Sequence, residues 1–415
     1  MKKNILFISP TGTLDNGAEI SIFHLMKYLV QDGYHVINAI PDYHVQVQQD
    51  YISTLAKEGI RTIALPSVKW WWEDAPGGLP GTHEERVNSY QENIAALRKI
   101  IVDSHIDLVI TNTVNMFQGA VAAACEDIPH FWLIHEFPEG EFSYYKEKIG
   151  VIDSLADEIF TVTGNLQKSL SFLLPQREIK SFISHNEVVS IKLKQGSKKR
   201  FVSVGRVNDN KNQIELIQAY QNLENASDYE LVFIGGWDET YKKKCDDYIQ
   251  ENRLTNIFFL GHKDNPWEEL TSEDICVFTS KIETFGLVYI EAILNGIPTI
   301  ISDNQGYMTA YNLFEVGTIY QLGNIEQLTG ILQDSIKNFS QQKDFVVKQR
   351  ERIQNVYRIE NNYAELLSAI TEDNVRNKKI LYYFNSLFEF KKVSERKITH
   401  LFKKIIRRTI NIKKP

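Results

Sequence analysis

At 415 residues the chain is too long for one ordinary hydrophobic core, so two domains are expected. With 43% hydrophobic and 24% charged residues it has the balance of a water-soluble globular protein, which speaks against a disordered or membrane-spanning class. A net charge of −7 and three cysteines (Cys125, Cys245 and Cys276), none in a Cys-x-x-Cys pair, argue against a nucleic-acid binder, a disulfide framework or a zinc site, and for a reducing compartment.

The opening run 4–9 reads as a buried strand; it is too short for a signal peptide, and Pro10 ends it without a small-residue cleavage site. No apolar run approaches the roughly 18 residues of a membrane span, so a cytoplasmic location is expected. A polar loop, Thr11 to Glu19, then opens a helix through Ser21 to Val30. Strand-like runs recur at 35–40, 60–65, 107–112, 130–134, 158–163 and 181–184, with helical stretches between most of them. This alternation predicts an α/β, doubly wound parallel sheet whose ligands lie beyond the carboxyl ends of its strands. Asn16-Gly17-Ala18-Glu19 is therefore placed for a phosphate, although a Gly-containing loop after a first strand is usually a plain turn.

Trp70, Trp71 and Trp72 precede a loop rich in Pro and Gly. Three adjacent aromatics cannot all face one core, so at least one of them should lie near the surface, and the indole faces of Trp71 and Trp72 could stack on a sugar ring; a hydrophobic plug under the loop fits equally well. His135-Glu136 directly follows the apolar run Phe131 to Ile134. A polar pair at a strand's carboxyl end suits ligand contact, and an imidazole can exchange a proton near neutral pH; a satisfied structural histidine is the alternative.

Lys192 to Arg200 reads as a linker, after which strands recur near 201–205, 230–234, 256–260, 274–279, 297–301 and 318–321. Two alternating halves joined once make a cleft. Gly205-Arg206-Val207-Asn208-Asp209-Asn210-Lys211 follows the first strand of the second half, and its two cations, Arg206 and Lys211, can neutralise a diphosphate. Gly235-Gly236 reads as a close-approach turn, and Gly261-His262-Lys263 follows the next strand.

The most informative stretch is Thr279 to Pro298. Its helix, Leu287 to Leu294, is apolar almost all round except for Glu291, and a buried carboxylate is costly unless held, so Glu291 needs a fixed partner. Seven residues separate it from Glu283 at the helix mouth, so both acids can reach one elongated polyhydroxylated ligand. The free N–H groups of Phe285, Gly286 and Leu287 would face an anion there. A sugar joined to a diphosphate fits that set of groups; a capping Glu and a buried ion pair are the structural alternative.

This stretch resembles the Glu-x7-Glu motif of the family-4 retaining glycosyltransferases. Gly205-Arg206 with Lys211-Asn212 resembles the family's Gly-Arg…Lys-Asn motif, and Asn16-Gly17-Ala18 its Gly-Gly-Ala loop with Asn16 in place of the first Gly. Thr284 stands where the common pattern has Gly, and Asp303-Asn304-Gln305-Gly306 where it has a Gly-Gly pair. The resemblance covers the chain to about residue 370 and implies the GT-B fold, two Rossmann-like doubly wound domains facing across a cleft. Residues 1–187 would form the acceptor side and 188–370 the nucleotide-sugar-binding side. By the same resemblance Arg206 and Lys211 hold the donor phosphates with Gly17 opposite, Glu291 binds the ribose, Glu283 the donor sugar, and His135 lies beside the reacting carbon. The backbone around His262 falls where the family reads the base. A nucleotide-diphosphate-sugar donor, a saccharide acceptor near Glu136, Trp71 and Trp72, retention of configuration, and no cofactor or metal are implied; the chain holds no Asp-x-Asp.

Residues 371–415 lie outside the resemblance. From Lys391 to Pro415 ten Lys or Arg and one Glu give +9, leaving −16 on the rest of the chain. Leu387, Phe390, Ile398, Leu401, Phe402, Ile405, Ile406 and Ile410 recur mostly at helical spacing between the cations, as in a basic amphipathic helix that lies on an anionic bilayer; nucleic acid or the acidic body are other possible partners. The combined expectation is a hexosyl- or deoxyhexosyltransferase of cell-surface polysaccharide or glycolipid synthesis, peripheral on the cytoplasmic membrane face, with a lipid-linked saccharide acceptor. A catalytically silent nucleotide-sugar-binding scaffold, or an epimerase on the same two-domain plan, are the rival readings.

Overall fold

The computed structural model describes residues 2–66, 81–188, 191–372 and 379–389. Trp71, Trp72, Phe390 and the 391–415 tail, singled out above, lie outside them.

Strands β1 (Asn4–Ile8), β2 (His35–Pro41), β3 (Arg61–Leu65), β4 (Leu108–Asn112), β5 (His130–Ile134), β6 (Glu158–Val162) and β7 (Lys180–Phe182) form a parallel sheet in the order β3-β2-β1-β4-β5-β6-β7. Helices α1 (Gly17–Gln31), α2 (Gln46–Lys57), α3 (His83–Asp103), α4 (Gln118–Glu126), α5 (Ile149–Leu155) and α6 (Asn165–Leu173) supply the crossovers. The central strands are unbroken apolar runs because helices cover both faces, and Ile5, Leu6 and Phe7 are all fully buried. Strand order reverses between β1 and β4, which opens a crevice at their carboxyl ends.

The second sheet repeats the plan with β8 (Arg200–Val204), β9 (Glu230–Ile234), β10 (Ile257–Phe259), β11 (Asp274–Phe278), β12 (Thr299–Ser302) and β13 (Thr318–Tyr320), ordered β10-β9-β8-β11-β12-β13. Its helices are α7 (Gln213–Gln221), α8 (Glu239–Glu251), α9 (Leu287–Leu294), α10 (Gln305–Phe314) and α11 (Ile325–Lys337). The switch point here lies between β8 and β11. At the amino ends of these two strands the Arg200 guanidinium forks onto buried Asp274, with Nε to Oδ1 at 2.8 Å and Nη2 to Oδ2 at 2.6 Å. The carboxyl ends carry Arg206 and Glu283 instead.

After α12 (Phe339–Val356) packs on α9, the chain leaves the second sheet and returns to the first. Helices α13 (Ile359–Asn362) and α14 (Ala364–Thr371) contact α1 and β7. The Tyr363 ring stacks on Phe182 at 5.5 Å, its hydroxyl meets Ser21 Oγ at 2.5 Å, and the Ile183 N–H donates to the Asn362 carbonyl at 2.8 Å. Helix α15 (Ile380–Tyr383) lies on α4, where Leu381 and Phe388 join the first domain's core. Among the described residues no helix is long and apolar enough to cross a membrane.

Candidate active site

The two switch points face each other across a cleft of about 810 Å³, lined from both domains. Asn16, Gly17, His135 and Glu136 come from the first, and Arg206, Lys211, His262, Glu283, Phe285, Gly286, Leu287 and Glu291 from the second. Every site residue singled out in the sequence and described in the structure thus reaches one cavity.

On the first domain the helix starts earlier than the sequence suggests. Asn16 is the N-cap of α1 and its side chain accepts from the Glu19 N–H at 3.0 Å, so Gly17 is the first helical residue. A Cβ on Gly17 would come within 3.2 Å of Leu287 on the opposite domain, so this position keeps the two walls close. Glu19, buried behind the loop, accepts from the Thr11 N–H at 2.8 Å and the Thr11 hydroxyl at 2.7 Å. Burial pushes its carboxyl up to about 7. In the sequence Glu19 stands out only as the last residue of the loop placed for a phosphate, whereas its carboxylate turns back to hold that loop.

His135 follows β5 and is buried, with its ring edge-on to Phe182. Burial pushes its pKa down to about 3. This corrects the expectation of a proton exchanged near neutral pH: the imidazole is neutral there. Its Nε2 is a buried atom without a hydrogen-bond partner, so a ligand hydroxyl could meet it. Glu136 accepts from the His135 N–H at 3.1 Å and the Val114 N–H at 3.4 Å, and burial pushes its carboxyl up to about 7.

On the second domain glycine turns bring three loops together. Gly235 has φ +154°, and a Cβ there would sit 2.1 Å from the Gly205 carbonyl oxygen, so only glycine fits. The Gly205 N–H donates to the Ile234 carbonyl and the Gly235 N–H to the Gly261 carbonyl, each at 2.9 Å. Lys211 pairs with Glu283, whose carboxylate also accepts from the Tyr307 hydroxyl at 3.5 Å. Arg206 is exposed and forms no ion pair among the described residues. His262 is also largely exposed, 3.7 Å from Asp264.

Glu291 is held without a cation. Its Oε1 accepts from Asn186 Nδ2 at 2.7 Å and its Oε2 from the Trp267 indole N–H at 2.9 Å. Burial raises its pKa, while these two donors oppose the rise. The ion-pair alternative for this buried acid is therefore corrected, because both bonded donors are neutral and each oxygen keeps acceptor capacity. Thr284, at the position where the common pattern has glycine, donates its hydroxyl across the cleft to the His135 carbonyl at 2.6 Å. No group of three or more potential metal ligands occurs among the described residues.

Residues 185–352 match the model of the family described as glycosyl transferases group 1. That match falls on the second domain. The chain is 26% identical over 266 residues to the poly(glycerol-phosphate) alpha-glucosyltransferase of Bacillus subtilis, covering 60% of this chain and 38% of that one. It is 23% identical to the N-acetyl-alpha-D-glucosaminyl L-malate synthase of Bacillus anthracis, over 56% of this chain and 53% of that one. The chain thus spans about two fifths to half the length of these curated relatives. Among solved structures, HepE of Anabaena in complex with UDP-glucose superposes with a TM-score of 0.70 at 18% identity, over 88% of this chain and all of that one. The fold is that of the GT-B glycosyltransferases.

Proposed function

We propose that the protein is a nucleotide-sugar-dependent glycosyltransferase that moves a hexosyl or deoxyhexosyl group onto a saccharide hydroxyl with retention of configuration, in the synthesis of a cell-surface polysaccharide or glycolipid. The observation that carries this reading is the convergence of Arg206, Lys211, Glu283 and Glu291 on one wall of a cleft whose other wall carries Gly17 and His135. Two relatives are named for alpha-linked products, and an alpha product from an alpha-linked nucleotide sugar is retention.

In the proposed reaction the acceptor oxygen bonds to the anomeric carbon, the bond from that carbon to the diphosphate breaks, and the acceptor proton passes to a phosphate oxygen. No side-chain base is then required. Arg206 and Lys211 stabilise charge that grows on the departing diphosphate, with the N–H groups of Phe285, Gly286 and Leu287 at the start of α9 beside them. The diphosphate competes with Glu283 for Lys211, and the freed carboxylate accepts sugar hydroxyls. Glu291 takes the ribose diol, the loop at His262 flanks the base, and neutral His135 offers Nε2 to a sugar hydroxyl. Glu136 borders the acceptor, together with Trp71 and Trp72. The two cations supply the positive charge that a metal would otherwise bring, so the reaction proceeds without one. The acceptor is lipid-linked, and the basic tail holds the enzyme on the cytoplasmic membrane face.

A screen of UDP-, GDP-, dTDP- and ADP-sugars in EDTA, read by thermal shift and sugar release, tests this. One nucleotide sugar should stabilise the protein and be slowly hydrolysed, and Arg206→Ala should weaken its binding by about 10- to 100-fold, the worth of a charge-assisted hydrogen bond. Stabilisation without any turnover would favour a scaffold, and free epimerised donor would favour an epimerase.

A further inference from the structure

One side chain between the domains touches both the donor wall and the first domain. Asn186 lies in the connection after β7. Its Nδ2 donates to Glu291 on α9 at 2.7 Å, and its Oδ1 lies 3.0 Å from Nε2 of His24 on α1. The reverse orientation of the amide would set its oxygen against a carboxylate, so the carboxylate fixes the amide, and His24 must then carry its proton on Nε2. The backbone is fixed as well: the Asn186 N–H donates to the Tyr357 hydroxyl at 3.0 Å, which in turn donates to the Ser184 carbonyl at 2.8 Å.

We propose that Asn186 is a positioning residue that sets recognition of the nucleotide's ribose by orienting Glu291 from the interdomain connection, an inference that rests on the assignment of Glu291 to the ribose diol. A vicinal diol donates two hydrogen bonds, and both carboxylate oxygens can receive them only when the carboxylate plane is aligned with the ribose edge. Two neutral donors, Asn186 and the Trp267 indole, fix that plane without consuming the negative charge. Removing Asn186 leaves one restraint, and the carboxylate turns about it. The amide's other end binds α1, so the alignment of Glu291 also depends on how the first domain sits on the connection.

The test is calorimetric binding of UDP, GDP and ADP and of their 2′-deoxy counterparts to the full chain, with melting curves as a check on folding. The wild type should prefer the ribonucleotide of the base it binds by at least about 10-fold, as expected when a buried acceptor loses a hydroxyl partner. Asn186→Ala should bring that ratio to within about 2-fold of unity, and in a Glu291→Ala background it should have no further effect on the ratio. Asn186→Ser, which like alanine keeps the backbone bond to Tyr357 but adds a small polar group, should give the same loss and serves if the alanine variant does not fold. A folded variant that weakens both nucleotides equally while keeping the wild-type ratio overturns the proposal. Wild type that binds a nucleotide without any ribose preference instead overturns the assignment of Glu291 itself.

Discussion

Glu19 is a carboxylate set where water cannot reach it, and its titration gives the loop it supports a pH dependence. Its pKa rises from the ordinary 4.5 to about 7, chiefly through burial and against the bonds from Thr11 and Gly12. Between those values the folded protein holds a proton that the unfolded chain has released, so this group's contribution falls as pH rises from 4.5 to 7 and is level above. His135 acts with the opposite sign: pushed down to about 3 from 6.5, it makes folding more favourable as pH rises through that interval. The two partly cancel in the wild type, so the informative quantity is a difference. Glu19→Gln should gain about 1–3 kcal/mol on the wild type between pH 5 and pH 8, measured by urea unfolding. A difference that does not change with pH would mean Glu19 is ionised throughout. At this scale the charged site residues were legible in sequence, because an acid in an apolar helix or two cations on one loop stand out. Asn186 and Trp267 were not. Both are neutral, and they lie 105 and 24 residues from the Glu291 they hold, so no local pattern marks them.

Strands and their loops determine where those residues meet. Parallel strands buried on both faces are continuous apolar runs, which is why their positions could be read to within a residue or two. Start points of helices were less legible, since α1 begins at an Asn cap inside what reads as a polar loop. The least legible contact is that of α10 with the Glu283 loop. Gly306, in the first turn of α10, has no positive φ, and alanine would ordinarily favour a helix at such a position. A Cβ there would lie 2.1 Å from the Glu283 carbonyl oxygen and 2.7 Å from the Thr284 carbonyl carbon, both backbone atoms that cannot turn aside. The family's paired glycines are replaced by Gln305-Gly306, and the single glycine suffices for this approach. Gly306→Ala should lower the melting temperature, because the Glu283 loop must shift to make room, and in the folded fraction should lower sugar transfer by about 100-fold, the cost of a misplacement near 1 Å. Undiminished transfer in a folded variant would separate the Glu283 loop from the reaction.

Over the whole molecule, the chain passes from the first domain to the second and returns. Nothing in the sequence of α13 and α14 says which domain they cover, because an apolar helix face specifies burial without naming its partner. Tyr363, Leu366 and Ile370 are fully buried on that return, so the hinge is a double connection. Beyond it the turn after α15 is fastened to the first domain by the Arg98 guanidinium, which donates to the Asn385 carbonyl at 2.8 Å, while Ile380 and Leu387 stay 71% and 70% exposed. The described residues therefore end at Glu389 on the domain assigned to the acceptor, next to an apolar edge, and the basic sequence follows. An anionic bilayer suits both features, as exposed apolar groups enter the interface and cations gain about 1 kcal/mol each near it. Deleting residues 390–415 should abolish flotation with phosphatidylglycerol vesicles, and wild-type flotation should weaken in high salt. Transfer to a short soluble acceptor should be unchanged by the deletion, because the cleft residues lie outside the deleted segment. Flotation that survives the deletion would shift the contact to the Ile380–Leu387 edge, and loss of soluble transfer would instead join the tail to the cleft.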